Sequence, residues 1–88
     1  MPWTFDDSKA VTNVIPSAAG RNYYEWRREI RDHNTHPRQA AQMCGNMKYE
    51  RLSNCYSIRL SGSDRCYFEV DEDGQAVNIL EVGGHDRS

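Results

Sequence analysis

Residues 56–82 constrain the fold most, because apolar side chains recur there at every second position in three successive runs. Tyr56, Ile58 and Leu60 alternate with Ser57, Arg59 and Ser61. Cys66, Phe68 and Val70 alternate with Arg65, Tyr67, Glu69 and Asp71, and residues 77–82 form a third run. A period of two sends alternate side chains to opposite faces of a strand, so this stretch reads as a half-buried antiparallel meander. Asp73-Gly74 lies between the second and third runs and favours a two-residue type I′ turn. That turn sets Val70 opposite Val77 and Phe68 opposite Ile79 on one face. On the other it sets Tyr67 opposite Leu80 and Arg65 opposite Val82. For the first hairpin, a two-residue Gly62-Ser63 turn would place Leu60 against Arg65 and mix the faces. A three-residue loop over residues 62–64 pairs Leu60 with Cys66, Ile58 with Phe68 and Arg59 with Tyr67, and is the expected register. Residues 48–52 form a preceding strand or an extended lead-in.

The upstream half reads as mainly helical. Residues 2–5 are extended, with β-favouring Trp3, Thr4 and Phe5. Asp7 or Ser8 is positioned to cap a helix that begins at Lys9, carries Ala10, Val11 and Val14 on one side, and is broken by Pro16 and Gly20. A second helix is expected over residues 22–32, where Tyr23, Trp26 and Ile30 share one face. A short helix over residues 38–43 follows Pro37. The fold class is therefore α+β: an N-terminal strand and a helical hairpin packed on a small antiparallel meander sheet, in one domain spanning residues 1–88.

Eighty-eight residues leave room for one small core and exclude a doubly wound nucleotide-binding fold. The net charge of −2 argues against a uniformly basic nucleic-acid coat, but it conceals a split. Residues 20–66 carry nine basic and five acidic side chains, a net of +4; residues 67–88 carry six acidic and one basic, a net of −5. A basic middle and an acidic end suit a binding face beside a solvated edge. Cys44, Cys55 and Cys66 cannot all pair within the chain, and no C-x-x-C occurs, so a reducing cytoplasm is the expected location. No apolar run approaches the length of a membrane span.

Most candidate sites resolve into structural roles. His33 and His36, with Cys44 nearby, lack a carboxylate pattern and read as solvated loop histidines; no metal or other cofactor is expected. Asp71-Glu72-Asp73-Gly74 lacks the ligand spacing of a calcium loop and reads as a charged turn. Tyr23, Tyr24 and Trp26 beside Arg27 and Arg28 could stack on bases, but helical spacing makes Tyr23 and Trp26 core residues first. Gly83-Gly84 reads as a bend. The remaining constellation is Arg59, Arg65 and His85. The two arginines lie on the polar face of the first hairpin, and His85 leaves the sheet three residues past Val82, within roughly 10 Å at about 3.3 Å per residue. Two guanidiniums that grip a phosphate, beside an imidazole that moves a proton near neutral pH, suit metal-free RNA cleavage through the 2′-hydroxyl.

The stretch from Tyr49 to His85 also resembles a known family. Leu52-Ser53-Asn54-Cys55-Tyr56-Ser57-Ile58-Arg59-Leu60, Asp64-Arg65-Cys66-Tyr67-Phe68-Glu69-Val70 and Val77-Asn78-Ile79-Leu80-Glu81-Val82-Gly83-Gly84-His85 are similar to the RelE/ParE superfamily of bacterial toxin–antitoxin toxins. The resemblance implies a ribosome-dependent mRNA interferase. In it Arg65 contacts the scissile phosphate, Arg59 adds positive charge from the preceding strand, and His85 acts as proton donor. Tyr67 would position a base, and Lys48 and Arg51 would extend RNA binding. Ser57 stands where some interferases carry a basic residue thought to activate the 2′-hydroxyl, which leaves the general base unassigned. The implied partners are a cognate antitoxin, mRNA and the ribosome. The superfamily also contains gyrase inhibitors without catalytic activity, and a ribosome-independent nuclease acting on free RNA such as tRNA is a further alternative.

Overall fold

The computed structural model describes residues 3–45, 47–62 and 64–84. Within them the element order is β1 (Thr4–Asp6), β2 (Val11–Thr12), α1 (Ser17–His33), α2 (Pro37–Met43), β3 (Glu50–Arg51), β4 (Tyr56–Ser61), β5 (Asp64–Asp71) and β6 (Ala76–Gly84). All six strands form one sheet in the order β1-β6-β5-β4-β3, with β2 also on the outer edge of β6. The β3–β6 portion is antiparallel, as the alternation requires. The sheet as a whole is mixed, because β1 and β2 both run parallel to β6.

The expected helix from Lys9 does not form. Asp6 Oδ1 instead accepts hydrogen bonds from the backbone N–H of Ser8 (3.0 Å) and from its hydroxyl (2.6 Å), which turns the chain. Val11 and Thr12 then pair with Glu81 and Val82, and Asn13 N–H donates to the Val82 carbonyl at 3.0 Å. Two physical facts decide against a helix here. Pro16 holds Ile15 extended, and the few residues left are too short to repay nucleation when an open sheet edge offers backbone partners at once.

Helix α1 starts five residues earlier than its apolar stripe predicts, directly after Pro16. Its buried residues are Ala19, Tyr23, Trp26 and Ile30, the expected stripe extended by one turn. Asn34 ends it in the left-handed conformation, and its side-chain oxygen accepts from Trp3 N–H at 2.6 Å, fastening the helix end to the start of β1. Trp26 sits at the centre. Its ring meets Phe5 and Phe68, and its indole N–H donates to the Pro37 carbonyl at 3.1 Å, joining both helices to the sheet. Helix α2 opens with Pro37 at its first position and buries Ala40 and Ala41.

The strand registers depart from simple alternation in three places. Val70 pairs with Val77 and Phe68 with Ile79, as expected, but Tyr67 faces Glu81 instead of Leu80, and Arg65 faces Gly84 instead of Val82. Leu80 and Gly83 are extra residues, each forming a bulge in β6. In the first hairpin Ser61 pairs with Asp64, Arg59 with Arg65, Ile58 with Cys66, Ser57 with Tyr67 and Tyr56 with Phe68. The expected pairs Leu60–Cys66, Ile58–Phe68 and Arg59–Tyr67 are thus displaced by two residues. A tight turn that would have mixed the faces is rescued by a bulge at Leu60, so Ile58 and Leu60 are both buried. The second hairpin turns through residues 72–75 with Gln75, not Asp73 or Gly74, in the left-handed region. The Asp71 carboxylate accepts from Gly74 N–H at 3.0 Å, so this is a four-residue loop and not a type I′ turn. Gly83 has φ +83, and a Cβ there would collide with the Ile15 side chain, so the bulge requires glycine.

Candidate functional site

Residues directly opposite in an antiparallel pair share a face. Glu50 opposite Ser57, Ser57 opposite Tyr67, Arg59 opposite Arg65 and Tyr67 opposite Glu81 therefore define the sheet face turned away from the helices. The structure brings Arg59 and Arg65 closer than the expected register did, as direct cross-strand partners. Two like charges so placed are unfavourable without an anion between them. Arg65 is only 7% exposed, and its Nη1 lies 3.9 Å from Glu50 Oε2. Arg59 is exposed and has no ion pair among the described residues.

Glu50 is the residue that sequence reasoning missed. It belongs to the lead-in strand, which doubles back through residues 52–55, where Leu52 N–H donates to the Cys55 carbonyl at 2.7 Å. Ser53-Asn54 is the available signal: turn-forming residues there make a hairpin that puts Glu50 across from Ser57. The lead-in is fixed further by Arg59 N–H donating to the Met47 carbonyl at 2.6 Å. Tyr49 packs on Tyr56 and Phe68 with the Arg38 guanidinium 5.4 Å above its ring. Burial beside Tyr56 pushes the Tyr49 hydroxyl pKa up to about 12.

The other expected site residues are distributed unevenly. Tyr67 is 3% exposed, so its ring is packed into the face and not presented to solvent. Arg51 pairs with Tyr56 and so points to the helix side of the sheet edge. Lys48 lines a cleft of about 370 Å³ with Arg38, Gln42, Met47 and Tyr49, also on the helix side. His85 lies outside the described residues; Gly84, which precedes it in the chain, is the cross-strand partner of Arg65. Ser57 is 1% exposed, and its hydroxyl has no hydrogen-bond partner among the described residues.

Other reactive groups belong to packing. Complete burial pushes the Cys66 thiol well above its ordinary range, away from nucleophilic use. His36 instead pairs with Glu72 at 3.0 Å, caps α2 by accepting from Arg38 N–H, and meets Trp3 edge-on. No His, Cys, Asp and Glu grouping able to hold a metal occurs among the described residues, and none of their helices is long and apolar enough to cross a membrane. In comparison with known proteins, the chain matches no family model and no curated sequence.

Proposed function

We propose that this chain is the toxin of a bacterial toxin–antitoxin pair, a RelE-like, metal-independent endoribonuclease that cleaves mRNA on the ribosome. The observation that carries the reading is the direct opposition of Arg59 and Arg65 on the sheet face turned away from the helices, with the Glu50 carboxylate against Arg65. A phosphodiester is the anion that such a pair of guanidiniums accommodates. Glu50 fills the role of general base that Ser57 leaves vacant. It takes the proton of the 2′-hydroxyl, the 2′-oxygen attacks phosphorus, and the bond from phosphorus to the 5′-oxygen breaks. Arg59 and Arg65 neutralise the charge that builds on the phosphoryl oxygens. His85, one residue beyond the partner of Arg65, protonates the departing 5′-oxygen. The products are a 2′,3′-cyclic phosphate and a 5′-hydroxyl. Lys48, Arg38 and Arg51 continue the positive surface around the β3 edge for the flanking strand, and a cognate antitoxin blocks the face.

The test is primer extension on mRNA in a reconstituted translation reaction. Wild-type protein should cut the message in the ribosome. Arg65→Ala and His85→Ala should abolish cutting while the protein stays folded, and Glu50→Gln should slow it by about 10²–10⁴-fold. Intact mRNA together with inhibited gyrase supercoiling would overturn the reading. Cleavage of free tRNA without ribosomes would replace the substrate while keeping the chemistry.

A further inference from the structure

The outer side of α1 has no role in the site above. Opposite its buried stripe, Arg21, Tyr24, Arg28 and Arg31 recur at i, i+3, i+7 and i+10, and all four are exposed. At about 1.5 Å per residue they form a stripe about 15 Å long. Arg31 has an ion pair with its neighbour Asp32 at 3.7 Å, whereas Arg21 and Arg28 have none among the described residues. Arg28 and Arg31, three residues apart, repel one another, while Glu25 stands four residues after Arg21 and three before Arg28. Tyr24 is 62% exposed, with the Arg27 guanidinium 5.9 Å from its ring centre.

At the N-terminal end of this stripe the surface opens into a cavity of about 240 Å³ walled by Ala10, Ile15, Gly20, Tyr23, Tyr24 and Val82, with Asp7 and Thr12 completing its lining. Val11 and Val14, from the same segment as Ala10 and Ile15, are among the most exposed large apolar residues, Val14 completely so. An apolar socket beside a rim of exposed guanidiniums and an aromatic ring is the composition of a protein-binding hot spot. Nucleic acid fits it less well. Of the two rings at the cavity, Tyr23 is only 5% exposed and its hydroxyl donates to the Asp7 carboxylate at 2.8 Å, so a base finds only the Tyr24 ring to stack on.

We propose that the outer face of α1 and this cavity dock an acidic peptide segment of a partner protein. One large apolar side chain of the segment fills the cavity, and its carboxylates bind Arg21 and Arg28 alongside Tyr24. This surface lies on the helix layer, and the proposal stands whether or not the sheet face cleaves RNA.

The test is selection of a displayed library of random twelve-residue peptides on the full-length protein, followed by fluorescence anisotropy with the enriched sequences. The expected winners combine several Asp or Glu with a Leu, Ile, Phe or Trp anchor. Arg21→Glu with Arg28→Glu should weaken them at least tenfold, and Lys-for-Glu peptides should regain binding to that variant. Gly20→Leu, which puts a side chain at the cavity wall of a helix that tolerates it, should weaken the same peptides at least tenfold with every arginine retained. Circular dichroism checks that both variants stay folded. A selection without acidic enrichment, affinities unchanged in both variants, or protection of α1 by single-stranded RNA in place of peptide would each overturn the proposal.

Discussion

On the helix-covered side of the sheet, Ile58, Cys66, Phe68, Val77 and Ile79 meet Trp26 and Ile30 with almost no contact with water. The opposite side carries Glu50, Ser57, Arg59, Arg65 and Tyr67, and three of these are nearly as buried despite their polarity. The first face is held by transfer of apolar surface out of water, which rewards volume and is indifferent to direction. The second draws little from that source. Burying Arg65 and Ser57 costs free energy that only specific partners offset. Apolar packing and clustered polar groups are thus divided between the two faces of a sheet a single strand thick.

The largest effect that bears on this division is at Trp26. Trp26→Ala removes the ring shared by α1, β1 and β5 and leaves the Pro37 carbonyl without its donor. Chemical denaturation should show a loss of about 3–5 kcal/mol, and cleavage should fall only as far as the folded fraction falls. A loss below about 1 kcal/mol would mean that the helix-side core is not centred where the structure puts it. On the other face, Ser57→Ala should move stability the opposite way, by about 1 kcal/mol upward, because it removes a buried hydroxyl with no partner among the described residues. A clear destabilisation would show that the hydroxyl is bonded after all and that the polar face contributes to the fold.

The smallest effect is a pH dependence confined to the covered face. Burial raises the Tyr49 hydroxyl to about 12, and burial with the hydrogen bond to Asp7 raises Tyr23 further. A tyrosine in the unfolded chain ionises near pH 10. Below that pH both states hold the proton and the full stabilisation is present. As pH rises from about 10 toward 12 the unfolded state releases its protons first, so stability should decline through this window. Tyr49 is partly exposed, which keeps its share small. Tyrosinate absorbance followed alongside unfolding checks the sequence of events, and ionisation of all five tyrosines near pH 10 with no change in stability would contradict it.

Much of the covered face was legible in the sequence because its signals are local and repeat. The alternation over residues 56–82 placed β4, β5 and β6, and the spacing of Tyr23, Trp26 and Ile30 placed the buried stripe of α1. The segment around Val11 and Val14 misled, because its apolar spacing is equally compatible with an extended strand lying on the edge of β6. The candidate site was legible only in part. Arg59 and Arg65 were found by their place on the polar positions, but their mutual opposition depends on a bulge at Leu60, and Glu50 reaches them only because a two-residue strand folds back beside β4.

What the sequence by itself determined is which apolar residues of the meander and of α1 leave water and the periodicity with which they do so, since both follow from side-chain chemistry and backbone geometry; the burial of Ser57, Arg65 and Tyr67 was not among them. The tertiary structure decided the registers, the three bulges and the company kept by each charge. A bulge changes the alignment of every residue beyond it, and its cost is settled by what packs against it. At Gly83 that is Ile15, sixty-eight residues away in the chain, a contact that no local pattern encodes.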